Sequence, residues 1–321
     1  MEKIVLLEPC ISSLNLGDYI IVDSVKRELA FLLNDAFVVE QPTQTPIMHF
    51  YQKNDARLVL ARQADAKFVC GSNLMWQNML NPTPQWNFNV FNNENIKDSI
   101  LVGVGSSTTR DTVNWYTKHA YRNVLSKKYI HSVRDEATKK RLESIGISAI
   151  NTGCATMWRL DKNHCAQIPK SKSNRVVFTL TDYLKKKELD LKLISILENK
   201  YDEVYFWPQG YSDFRYISEL GYSNKVKIIS PNLEAMKELL KEGNIDYVGT
   251  RLHGGIFAMQ HFARSIILII DNRAREMKEH YNIPAIERND LSRLEKMIDT
   301  AWSTNVNIDT DRIKMWKEQF K

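Results

Sequence analysis

The sequence predicts an α/β protein of two Rossmann-like domains facing a cleft, and three observations carry that prediction. Short β-branched runs alternate with helical patterns almost from end to end, the signature of parallel strands in βα units. The alternation breaks once, at the polar, aperiodic stretch "DKNHCAQIPKSKSN" (161–174), and then restarts. A length of 321 residues also exceeds what one hydrophobic core usually organises. With 161–174 read as the linker, the expected domains are 1–165 and 166–321.

The elements follow in order. "KIVLLEP" (3–9) reads as the first strand. Ile20, Ile21, Val25, Leu29 and Leu32 keep helical spacing and predict a helix over 17–33. "AFVVE" (36–40), "AKFVC" (66–70), "SILVGVG" (99–105) and "YIHSV" (129–133) are further strands, and a helix over 135–144 ends before Gly146 as its C-cap. The second half repeats the alternation. Strands are expected at 175–181, 202–208, 225–230, 245–249 and 265–271, and helices up to about 199, over 232–242, from 254, and over 289–303 and 309–320.

Composition excludes several classes. A hydrophobic content of 43% and a charged content of 26% belong to a soluble globular protein. "MEKIVLLEPC" is too short for a signal peptide, and "IILII" (266–270) stops at Asp271, far short of a membrane span, so a cytoplasmic protein is expected. Cys10, Cys70, Cys154 and Cys165 show no CxxC spacing and read as reduced, half-buried residues. His253 and His261 on one helix face, without a carboxylate or thiol partner, do not make a metal site, and no metal or cofactor is expected. The net charge of +6 is dispersed, which disfavours nucleic acid and suits an anionic small molecule or an acidic membrane surface.

In parallel α/β sheets ligands gather at the carboxyl ends of strands, so strand-to-helix junctions are where chemistry is expected. In "VGTRLHGGIFAMQ" (248–260), Arg251 supplies a planar bidentate donor and His253 a group that exchanges protons near neutrality. Gly254 and Gly255 would let the first N–H groups of a helix approach a ligand. Buried positive charge needs pairing, and an anionic ligand is the expected partner. "LNLGDYI" (14–20) places Asp18 either as a helix N-cap or as a cleft-facing acceptor of a hydroxyl proton. "VGVGSSTTRD" (102–111) offers hydroxyls beginning at Ser106. At "HSVRDEATKKRL" (131–142), Arg134 reads either as part of a capping arrangement with Asp135 or as an anion fork. The stretch 72–98, rich in asparagine and aromatic residues, reads either as a long loop with hydrophobic packing or as a sugar-facing loop.

"NLGD" (15–18), "VGVGS" (102–106), "VRDEATKKRLESIG" (133–146), and above all "TRLHGGIFAMQ" (250–260) followed by "IILIIDNRAREM" (266–277), resemble the polysaccharide pyruvyl transferase family over roughly residues 1–280. Two departures stand out: "CGSNLMW" keeps only Gly71 where members often carry a glycine triplet, and Thr250 replaces a frequent serine. The resemblance implies a GT-B-like architecture. It implies transfer of a pyruvyl group from phosphoenolpyruvate to two hydroxyls of a sugar in a surface or capsular polysaccharide precursor, with a cyclic ketal formed and phosphate released. Arg251 and His253 match the family's arginine–histidine pair, and Arg134 matches its VRD arginine. The expected site therefore has His253 as acid and Asp18 as base. Arg251, Arg134, Gly254, Gly255 and Ser106 are expected on the donor, and Asn15, Asn73, Trp76 and Trp86 on the acceptor. A lipid-linked acceptor would bring the enzyme to the inner face of the cell membrane. The competing readings are a GT-B glycosyltransferase using a nucleotide sugar and a catalytically silent sugar-binding homologue.

Overall fold

A computed structural model describes residues 1–45, 54–80, 85–106 and 112–321. The chain forms two compact units. The first comprises Met1–Ser13, Ile21–Trp158 and Asp309–Lys321, and the second Leu14–Ile20 and Arg159–Ile308.

The first unit begins with β1 (Lys3–Glu8), α1 (Leu16–Glu28), whose first turns belong to the second unit, and α2 (Ala30–Leu33). It continues with β2 (Phe37–Pro42), α3 (Ala56–Arg62), β3 (Ala66–Cys70), β4 (Ser99–Val102), α4 (Trp115–Val124), β5 (His131–Val133), α5 (Glu136–Ser144) and β6 (Ala149–Asn151). β2-β1-β3-β4 form a parallel sheet, and β5 pairs β6 in parallel. Val5, Leu7, Val69 and Leu101 from the sheet and Leu142 from α5 share one buried cluster, where continuous apolar strands meet helices on a face.

The second unit holds α6 (Lys162–Ala166), β7 (Arg175–Thr179), α7 (Lys187–Lys200), β8 (Glu203–Phe206), α8 (Asp213–Glu219), β9 (Lys227–Ile228) and α9 (Leu233–Lys241). β10 (Ile245–Gly249), α10 (Leu252–Gln260), β11 (Ser265–Ile269), α11 (Asn272–Tyr281), β12 (Ala285–Glu287) and α12 (Leu291–Asp299) complete it. Its parallel sheet runs β12-β11-β10-β7-β8-β9. Asn232, Asp271 and Asp290 cap α9, α11 and α12 by accepting backbone N–H bonds, a capping role that suits these side chains.

Several expectations change. The stretch 161–174 is packed rather than a free linker: it forms α6, buries Cys165, and the Nε2 of the buried His164 lies 2.8 Å from the Met259 carbonyl. The unit boundary falls between Trp158 and Arg159, ahead of that stretch. The closing helix Thr310–Glu318 returns to the first unit, where Trp316 packs on Trp158 at 5.6 Å and Phe320 on Phe68 at 5.3 Å. All four cysteines are buried rather than half-buried, and none forms a disulfide among the described residues.

The aromatic stretch 72–98 is also resolved by packing, apart from 81–84, which lie outside the described residues. Trp86, 1% exposed, sits edge-on to Phe88 at 4.8 Å inside the first unit's core with Leu74, Met75 and Met79, so it has no face to offer a sugar. Trp76 is half-buried against the same cluster, and its backbone N–H donates to the Tyr121 hydroxyl at 2.7 Å. The asparagines make turns: Asn89 Oδ1 accepts from Phe91 N and Asn92 Oδ1 from Asn89 N.

Candidate functional site

The carboxyl ends of β7, β8, β10 and β11 bring together Tyr183, Gln209, Arg251, His253, Asp271 and Arg273 around one cavity of the second unit. The segment Leu14–Ile20 completes it. Leu16 N donates to Gln209 O (2.8 Å), Tyr211 N donates to Leu14 O (3.0 Å), and Asn15 bridges Gly210. Asn15 and Gly17 thus line the cavity beside His253, whose Nδ1 would lie 3.4 Å from a methyl placed on Gly17. The "NLGD" and "RLHGG" stretches, far apart in sequence, share one wall. Asn15 rather than Asp18 opens α1: its Oδ1 accepts from Gly17 N (3.1 Å) and its carbonyl from Asp18 N (3.1 Å). Asp18 is half-buried in the helix's first turn, which corrects the reading of it as N-cap.

The buried Arg251 is paired within the protein itself. Its Nε and Nη2 donate to the two oxygens of Asp213 at 3.1 and 2.5 Å, and both side chains are almost sealed from solvent, 6% and 0% exposed. Asp213 also accepts from the backbone N–H groups of Gly210, Gln209 and Asp182. Burial pushes the Asp213 carboxyl up, opposed by Arg251 and these N–H groups. The same device recurs in this unit, where Arg264 meets Asp246 at 3.0 Å and Arg288 meets Asp190 at 2.5 Å. The expected bidentate fork therefore faces inward. Nη1 is the guanidinium nitrogen that holds no acceptor among the described residues, and Tyr183 stacks on the group with its ring centroid 5.2 Å from Cζ.

The start of α10 differs in part from the expectation of open N–H groups at both glycines. Leu252 and Gly254 N–H find no acceptor among the described residues, whereas Gly255 N donates to Arg251 O at 3.2 Å and is not available to a ligand. The two glycines serve packing: a Cβ on Gly254 would lie 2.2 Å from Gln209 Nε2, and one on Gly255 would lie 2.4 Å from Ile267 Cγ1. Gln209 itself is 3% exposed, and its Nε2, a donor in a residue of the cavity wall, has no hydrogen-bond partner among the described residues. The cavity measures about 20 Å³, room for one water. Thr250 bonds Thr181 through their hydroxyls at 2.8 Å, the hydroxyl role that a serine would also fill.

Asp182, Gln209 and Asp213 are the residues that motif reading missed. Each follows a strand, β7 or β8, and "TLTD" and "WPQGYSD" are junctions of the same kind as those singled out.

The remaining predicted residues lie in the first unit. Arg134 Nη2 donates to Asn73 Oδ1, so a residue expected on the donor and one expected on the acceptor meet. The Arg134 side chain lies across Gly105, beside the half-buried Ser106; residues 107–111 lie outside the described ones. Asp135 caps α5 by accepting from Thr138 N at 2.7 Å. Among the described residues, no three His, Cys, Asp or Glu side chains group as metal ligands, and His261 is engaged with the Phe257 carbonyl at 2.8 Å. No helix among them is long and apolar enough to cross a membrane.

The polysaccharide pyruvyl transferase family model matches residues 15–272. No curated protein matches the chain. UDP-GlcNAc 2-epimerase of Methanocaldococcus jannaschii, solved with UDP-GlcNAc and UDP, is similar over 100% of this chain and 99% of its own, with a TM-score of 0.50 and 14% identity. The Neisseria meningitidis UDP-GlcNAc 2-epimerase (TM-score 0.47, 12% identity, 100% and 99% covered) and Escherichia coli heptosyltransferase WaaC (0.43, 11%, 100% of each) are more distant. The fold is thus that of GT-B enzymes.

Proposed function

Because the chain belongs to the polysaccharide pyruvyl transferase family, we propose that it moves the pyruvyl group of phosphoenolpyruvate onto two hydroxyls of one sugar unit, closing a cyclic ketal and releasing phosphate. The observation that carries the donor assignment is the group of unsatisfied donors at the start of α10. The Leu252 N–H, Gln209 Nε2 and Arg251 Nη1 belong to residues that line a small cavity suited to one anionic group, and the Gly254 N–H stands one residue beyond that lining. His253 gives a proton to C3 of the enol, which makes C2 electrophilic. One sugar hydroxyl adds to C2, phosphate leaves, and the second hydroxyl closes the ring. Of the two hydroxyl protons, one restores His253 and the other ends on phosphate. Asp18, in the same unit, is the base for the acceptor. The cavity admits the donor after side chains such as the 58% exposed Tyr183 give way. A net charge of +6 supports a lipid-linked acceptor met at an anionic membrane surface.

Ligand-dependent melting tests this reading. A ligand bound only by the native state stabilises it by about 2.7 kcal/mol at a hundred times its dissociation constant, a shift of a few degrees for a chain of this size. Phosphoenolpyruvate raises the melting temperature of the wild type, and Gln209→Leu loses much of that gain. His253→Ala keeps binding but slows phosphate release by about 10²–10⁴. A shift with a nucleotide sugar and none with phosphoenolpyruvate would hand the chain to the glycosyltransferase reading.

A further inference from the structure

A second cavity of the second unit, about 880 Å³, lies against the far end of α11 and along α12, and the candidate site does not use it. The two cavities take opposite ends of one helix: Arg273 and Ala274 at the start of α11 line the first, and Lys278 with Asn282 beyond its end line the second. The volume is that of an organic ligand and not of a single ion.

Three cations converge on this groove. Several exposed cations of this unit are paired, as in Lys237–Glu234, Lys241–Glu238, Lys185–Glu219, Lys200–Asp299 and Arg275–Glu287. Lys278, Arg293 and Lys296 line the groove and make no ion pair among the described residues. Arg293 and Lys296 stand one turn apart on one face of α12, where like charges repel. The acid beside them, Asp290, is committed to the cap of α12, accepting from Arg293 N and from the Ser292 hydroxyl. An anion in the groove would relieve that repulsion.

The rest of the wall identifies the kind of anion. Trp302 is held rigidly, its Nε1 donating to Met297 O at 2.9 Å and its ring lying 4.7 Å from the buried Arg264 guanidinium. Asn305 and Ser303 add an amide and a hydroxyl, and Asn282 Nδ2 donates to Asn305 O. Thr304, 6% exposed, keeps in the same wall a hydroxyl without a partner among the described residues. An indole, amides and hydroxyls between three cations suit a hydroxyl-rich acid. A nucleic acid would call for a series of stacking faces.

We propose that this groove binds an acidic oligosaccharide, a sugar chain bearing carboxylate or phosphate groups, as a subsite remote from the reacting one. That this chain is part of the acceptor rests on the function proposed above; the binding itself does not. Such a subsite adds affinity for acceptor without taking part in the bond changes.

Direct titration of the full chain tests it. The probes are an oligogalacturonate, a phosphorylated oligomannoside, neutral oligosaccharides of equal length, and inorganic phosphate. The expected result is binding of one or both acidic oligomers, at least tenfold weaker in Arg293→Glu/Lys296→Glu and tenfold weaker again with Lys278→Gln added. His253→Ala keeps the wild-type affinity. The substituted side chains are exposed or half-buried, and an unchanged melting temperature shows that the variants fold. Which acidic oligomer binds decides between carboxylate and phosphate. Equal affinity in the charge-reversed variant overturns the proposal. So does phosphate binding as tightly as the oligomers, or duplex DNA competing as well as they do. A groove that binds while phosphoenolpyruvate fails to shift the melt leaves this subsite standing and removes the transferase reading; the reverse removes the subsite alone.

Discussion

Replacing Asp213 by asparagine keeps the shape of its side chain and removes the charge that holds Arg251. A buried pair broken at one partner leaves the other uncompensated, with a loss of about 3–5 kcal/mol. Asp213→Asn is therefore expected to lower stability by that order in chemical denaturation, and to weaken phosphoenolpyruvate binding because Nη1 is no longer aimed. Removing both partners, as Arg251→Met/Asp213→Leu, is expected to destabilise by less than the sum of the single changes. Additive losses would show that the pair does not position Arg251. Here the sequence was half legible. The buried arginine and its need for an anion could be read from one strand-to-helix junction, whereas its partner came from another junction 38 residues away. Nothing in the local pattern of "GYSDF" distinguishes Asp213 from a helix-capping aspartate.

At the scale of elements, the strands were the legible part, because β-branched runs such as 66–70 and 245–249 are buried on both faces and carry no competing period. α8 and α11 were missed because polar residues dilute their helical stripe, as in "NRAREMKEHY". The aromatic stretch 72–98 misled for a physical reason: tryptophan and asparagine suit a sugar, and they equally suit a tightly turned strap over a core. Trp86→Ala is accordingly expected to cost about 3–5 kcal/mol of stability and to leave the acceptor KM unchanged. A raised KM at full stability would restore the sugar contact. β5 carries a pH-dependent element. Burial pushes His131 down to about 4; its Nδ1 accepts from Leu101 N, and its Nε2–H donates to Ser126 O. The unfolded chain takes up that proton near the ordinary value of about 6.5 and the folded chain does not. Stability is thus fully present above about 6.5, falls as pH drops toward about 4, and loses on the order of 3 kcal/mol across that window. Denaturation midpoints from pH 7 to 4.5 should flatten in His131→Gln relative to wild type; parallel curves would mean that other groups govern the acid limb.

For the whole molecule, two sheets could be read from the alternation, but the ownership of chain segments could not. Leu14–Ile20 joins the second unit by backbone bonds to Gln209 and Tyr211, and 309–321 returns to the first by aromatic packing. Both are long-range pairings that leave no periodic trace. The return has a measurable consequence. Trp316 is buried to 1% exposure, its Nε1 donates to Ile130 O at 2.8 Å, and its ring packs against Trp158 and Phe320. Trp316→Ala removes a buried indole and is expected to cost about 3–5 kcal/mol. That loss belongs to the first unit. Amides of β1, β3 and β4 should exchange faster by the corresponding factor, while those of β7, β10 and β11 keep wild-type protection, since local opening follows cooperative units. Phosphoenolpyruvate should still protect the junctions after β8 and β10 in this variant. Equal loss of protection in both sheets would show instead that the chain opens as one cooperative body, and that the closing helix stabilises all of it.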